Sequence, residues 1–112
     1  MGLPNADRAE VDLRKLSDYC LSPEHPVGKH KATVFQAALG LKTADAQVLR
    51  ERILRAAVDE QAVLERADEF GDRYRLDFEL ATPTGRALVR SAWIIRSGED
   101  FPRLTTCFVL PR

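Results

Sequence analysis

The chain is poor in the residues that announce a familiar chemistry. It has two cysteines, two histidines, one tryptophan and six scattered glycines in 112 residues. It has no Gly-rich phosphate loop, no C-x-x-C or H-E-x-x-H metal spacing, no nucleophile elbow and no dinucleotide fingerprint. Cys20 and Cys107 are too few, and too differently placed, for a disulfide framework, and read as small core residues. With no acidic cluster beside the histidines, neither a metal nor another cofactor is expected. No window approaches the roughly 18 to 20 apolar residues that span a bilayer. The start Met1-Gly2-Leu3-Pro4-Asn5-Ala6-Asp7-Arg8 lacks the charged-then-apolar layout of a signal peptide. No membrane partner is therefore expected, and a cytoplasmic location is the default. A formal net charge of zero argues against coating nucleic acid by bulk electrostatics.

What is present suits one soluble globular domain over residues 1–112, with 45% apolar and 30% charged residues. The charges are unevenly spread. Residues 59 to 69 hold five acids against Arg66, whereas residues 86 to 112 hold five arginines against Glu99 and Asp100. The plain reading is that these charges solvate exposed faces.

Periodicity divides the chain into a helical half, about 12–58, and an antiparallel sheet, about 62–110. Asp12 caps a short first helix, in which Leu13, Leu16, Tyr19 and Cys20 recur at helical spacing until Ser22-Pro23. A second helix runs from near Gly28 to Gly40, with Ala32, Phe35, Ala38 and Leu39 inward. A third follows Thr43 as N-cap and buries Ala46, Leu49, Ile53, Ala56 and Ala57. From Ala62 the period becomes 2, giving strands over about Ala62 to Ala67, Arg73 to Leu80, Arg86 to Arg96 and Leu104 to Leu110. The turn chemistry of Thr82-Pro83-Thr84-Gly85 and Ser97 to Pro102 joins antiparallel neighbours. The predicted fold class is α+β, with N-terminal helices packed on one face of a four-stranded antiparallel meander.

The run from Pro23 to Lys31 holds both histidines, His25 and His30, with Lys29 and Lys31 at the start of the second helix. A helix start is electropositive, so these cations are costly there unless an anion sits nearby. Lys31 lies four residues before Phe35, on the inward face, with its ammonium directed to the rim of the sheet. His30 and His25 can serve acid–base chemistry near neutral pH. Arg90 and Arg103 offer phosphate forks, Thr105 and Thr106 hydroxyls, and Trp93 a stacking face. Plainer alternatives stand beside each reading: a snorkelling Lys31, ordinary surface histidines, a core Trp93, threonines as β formers, and arginines solvated or paired with Asp77 or Glu79.

Two motif blocks carry a resemblance. They are Pro23-Glu24-His25-Pro26-Val27-Gly28-Lys29-His30-Lys31-Ala32, followed by Phe35 and Leu39-Gly40, and Arg90-Ser91-Ala92-Trp93-Ile94-Ile95, followed by Gly98-Glu99-Asp100 and Pro102-Arg103-Leu104-Thr105-Thr106. With Leu3-Pro4-Asn5-Ala6 they resemble a small bacterial domain-of-unknown-function family, DUF6883, over nearly the whole chain. Its relatives resemble C-terminal modules of polymorphic toxins and small toxins encoded beside an immunity or antitoxin protein. The element order is similar to barnase-like and RelE-like metal-independent ribonucleases. The resemblance implies RNA as substrate and a cognate immunity or antitoxin protein as partner. It also implies a site in which His30, Lys31, Arg90, Arg103 and Thr106 are catalytic and Lys29, His25, Trp93 and Thr105 bind substrate. The alternative is a non-catalytic partner-binding module. The ribonuclease reading requires that the helix start meet Arg90 and the segment Arg103 to Thr106 on one surface.

Overall fold

The computed structural model describes residues 2–111. Helix α1 (Leu13–Lys15) opens as the sequence predicts: the Asp12 carboxylate accepts the Arg14 N–H at 3.0 Å. It then widens into a π-helical turn, Leu16–Cys20, in which the Leu21 N–H reaches back to the Leu16 carbonyl at 2.8 Å. Leu16 and Cys20 are fully buried by this turn, while Tyr19 is left half-buried at the rim.

Helix α2 (Lys29–Leu39) buries Ala32, Phe35 and Leu39, and ends at Gly40 with φ 68°. That left-handed conformation favours glycine, and a Cβ at Gly40 would also strike the Thr84 side chain. Helix α3 (Ala46–Asp59) buries the predicted Ala46, Leu49, Ile53, Ala56 and Ala57. Thr43 is not its N-cap. A 3-10 turn, Thr43–Asp45, intervenes, closed by the Lys42 N–H donating to the Asp45 carboxylate at 2.9 Å.

Strands β1 (Ala62–Asp68), β2 (Gly71–Ala81), β3 (Arg86–Arg96) and β4 (Arg103–Val109) form an antiparallel meander in chain order. The helices cover one face. Leu76, Phe78 and Leu80 of β2, Val89, Ser91 and Trp93 of β3, and Cys107 and Val109 of β4 are buried there with Phe35, Leu49 and Ile53. Alternation sends Asp77 and Arg90, cross-strand partners, to the opposite face. Between β3 and β4 the register slips: Ala92 pairs Thr106 and Trp93 pairs Leu104, which leaves Thr105 as the bulged residue.

Trp93 is 1% exposed, so it is a core residue rather than a stacking platform. Its indole N–H donates to Ser91 Oγ at 2.9 Å, and the Ser91 hydroxyl donates to the Leu76 carbonyl at 2.8 Å. This relay satisfies the one buried polar side chain among the described residues. Trp93→Ala is expected to cost about 3–5 kcal/mol in urea denaturation, whereas Trp93→Phe, which keeps the burial and the Ser91 bond to Leu76, should cost about 1 kcal/mol.

Candidate functional site

The start of α2 is shaped by a close approach and by the loop ahead of it. Gly28 lies against the Tyr19 carbonyl so tightly that a Cβ would overlap it, which docks the head of α2 on the π-turn. The backbone N–H groups of Val27 and Gly28 both donate to His25 Nδ1 at 3.0 Å, and the Lys29 N–H donates to the His25 carbonyl at 3.0 Å. His25 therefore closes the loop that leads into this helix, whose N-cap is Gly28, and its accepting Nδ1 places the proton of the neutral ring on Nε2. The imidazole satisfies two loop N–H groups just ahead of the cationic helix start.

Lys31 points inward as its phase predicts. Its Nζ donates to the Tyr19 hydroxyl at 2.8 Å and stands 4.9 Å from the Tyr19 ring centroid and 6.0 Å from that of Phe108. The His25 ring meets Tyr19 edge-on, with centroids 4.8 Å apart. Below this layer, Cys20 Sγ lies 3.9 Å from Thr106 Oγ1. Hydrogen bonding from the Cys107 thiol and N–H, with lesser help from Thr106 and the Lys31 charge, outweighs burial and brings the Cys20 thiol down to about 7. The same thiol contact and burial push Cys107 up.

Tyr19 and His25 open onto a groove of about 630 Å3 whose other walls include Arg14, Lys15, Asp18 and Thr105. Asp12 and Arg14 neutralise each other at 3.1 Å. Lys15 makes no ion pair among the described residues. On the other side of Lys31, the exposed His30 lines a shallow depression of about 390 Å3 with Val34, Phe108 and Val109. Lys29 is exposed on the first turn of α2.

Arg90 does not meet Lys31. It lies on the face of the sheet turned away from the helices, where its Nε and Nη2 clamp the Asp77 carboxylate at 2.8 and 2.9 Å. Phe108 is its cross-strand neighbour. Arg103 is fully engaged as well: Nε and Nη2 donate to Glu99, each at 2.9 Å, and Nη1 donates to Glu10 at 2.8 Å. Its guanidinium also covers the Phe101 ring at 4.7 Å. Thr105 donates to the Ala92 carbonyl at 3.1 Å. The structure thus gathers Lys31, His25, Thr105 and Thr106 around the π-turn, and leaves Arg90, Arg103 and Trp93 outside. Tyr19 and Lys15, which line the groove, were not among the expected residues. Their i, i+4 spacing in the first helix was the available signal, hidden because Tyr19 also fits the apolar stripe.

The model of DUF6883, a domain of unknown function, matches residues 2–111. The chain belongs to this family. No functionally curated protein matches it. The DUF6883 fold resembles a chain in a solved contact-dependent growth inhibition toxin–immunity protein complex from Klebsiella pneumoniae 342, with a TM-score of 0.68 and 18% identity over 89% of this chain and 98% of that one. The likeness is one of fold. Among the described residues of this DUF6883 domain, no helix is long and apolar enough to cross a membrane.

Two measurements check the His25 contacts and the ion pairs of the sheet. Replacing His25 by Ala removes the acceptor for two N–H groups and should cost about 1 kcal/mol in chemical denaturation, most of it recovered in His25→Asn. Acid should weaken the DUF6883 domain through its paired carboxylates. The hydrogen-bonded guanidinium of Arg90 holds Asp77 below its ordinary 3.8, and that of Arg103 holds Glu99 below its ordinary 4.5. Because the folded values are the lower ones, this stabilisation is complete above about pH 5 and is lost as pH falls through them. Urea midpoints measured between acid and neutral pH should therefore fall less steeply in Asp77→Asn than in the wild type.

Proposed function

We propose that the protein is a toxin-like domain that cleaves RNA without a metal, using a site centred on Lys31. The observation that carries this reading is the 2.8 Å contact of Lys31 with the Tyr19 hydroxyl at the edge of an open groove. Since the phenol oxygen accepts from the ammonium, its own proton is free to be donated into the groove. In the proposed reaction His30 removes the proton of a ribose 2′-hydroxyl, whose oxygen attacks the adjacent phosphorus. Lys31 stabilises the charge that grows on the phosphate, and Tyr19 protonates the departing 5′-oxygen. The products are a 2′,3′-cyclic phosphate and a 5′-hydroxyl. His25 positions Tyr19 edge-on, and Thr105 and Lys15 line the path of the strand. Arg90 and Arg103 serve as ion-pair partners within the sheet.

Purified protein should cut single-stranded RNA in EDTA, and Lys31→Ala and Tyr19→Phe should each slow cleavage on the order of 100-fold or more without lowering the urea midpoint to match. Full activity in both variants would sink the assignment.

A second reading, a non-catalytic module that binds a partner protein, is favoured by the free edge strand. Along and just beyond β1, Val63, Leu64 and Phe70 are 45%, 53% and 63% exposed, a surface that a partner strand can extend. It predicts a tight complex with the protein encoded by a neighbouring gene, broken by Leu64→Asp, and no cleavage of RNA at any protein concentration.

A further inference from the structure

We infer that the groove beside Tyr19 continues past Lys15 to Arg96 as a track for a single-stranded phosphodiester chain, with Lys15 and Arg96 each holding one phosphate. This deepens the RNA-cleaving reading and rests on it for the identity of the strand. The groove adjoins a narrower reach of about 140 Å3, and the two share Asp12, Lys15 and Thr105 as lining residues. Ile94, Arg96, Arg103 and Leu104 line the far reach.

Charge along this path is decided by which groups are already neutralised. Glu10 is held by Arg103 at 2.8 Å and Asp12 by Arg14 at 3.1 Å, while the two Glu99 oxygens consume the rest of the Arg103 fork. Lys15 and Arg96 make no ion pair among the described residues. They stand one in the shared segment and one in the far reach, with Lys31 at the Tyr19 end. Asp18, bonded to the Ser17 hydroxyl at 3.1 Å, is the opposing charge on this path. A polyanion entering at Tyr19 therefore meets cations that no ion pair clamps, Lys15 acting only at longer range on Asp12 and Arg96 on Glu99.

The probe is a short fluorescent single-stranded 2′-deoxyoligonucleotide, which binds but lacks the attacking hydroxyl, so binding is read apart from cleavage. Anisotropy titrations over a range of salt should give a slope of log affinity against log salt that is flatter by roughly 0.7 in Lys15→Ala and again in Arg96→Ala. Lys42→Ala, an exposed lysine away from the track, should leave the slope unchanged. The track is overturned if the wild type does not bind the strand, if either track variant keeps the wild-type slope, or if Lys42→Ala flattens it equally. Flat slopes with RNA cleavage intact remove the track alone. The expected slopes in a protein that never cuts RNA support the track and remove only the enzyme.

Discussion

The approach of Gly28 to the Tyr19 carbonyl is the constraint on which the surroundings of the groove depend. Without a side chain at residue 28, the head of α2 seats directly on the π-turn, and the loop between them closes through His25 Nδ1. That seat brings Lys31, one turn further along, to the Tyr19 hydroxyl. Any side chain at residue 28 would lift α2 from the π-turn and separate the ammonium from the phenol. Fold and candidate chemistry therefore share one point of contact.

The zero net charge conceals a division of labour. Across the sheet, arginines are matched with carboxylates: Arg90 with Asp77, Arg75 with Glu65, Arg73 with Asp68, Arg103 with Glu99 and Glu10. Such exposed pairs contribute little to stability individually, but they remove those cations from competition for an outside anion. Among the described residues, the cations outside any ion pair include Lys15 on α1, Lys29 on α2, Arg52 and Arg55 on α3 and Arg96 at the end of β3. A sum over the whole chain cannot reveal this, because it weighs a clamped guanidinium and a free ammonium equally.

Much of the architecture was legible because packing enforced a single period. The inward residues of α3 recur without interruption, and the Leu76, Phe78, Leu80 alternation admits one face. The π-turn was not legible, since one wide turn within a short helix leaves no repeat long enough to read. Parity in β3 was legible in principle: Arg90 falls in phase with Leu88 and Ala92 and out of phase with Val89, Ser91 and Trp93, so it could not share a face with Trp93 or with an inward Lys31. The role of His25 was obscured because a loop carries no periodicity that would show which side chain accepts from its own backbone. A histidine there suggested substrate contact, and the backbone claimed its nitrogen.

Because the strand order repeats the chain order, each strand pairs with its immediate neighbour in sequence, and the sheet needs only short loop closures to assemble. The helices have no such local partner. Phe35, Leu49 and Ile53 precede every strand that covers them, and Cys107 and Val109, which complete that cover, lie almost at the end of the described chain. During synthesis the apolar sides of α2 and α3 therefore emerge before their floor exists. The groove beside Tyr19 has no second wall until β4 brings Thr105 to it, which makes any activity housed there wait on the synthesis of that strand.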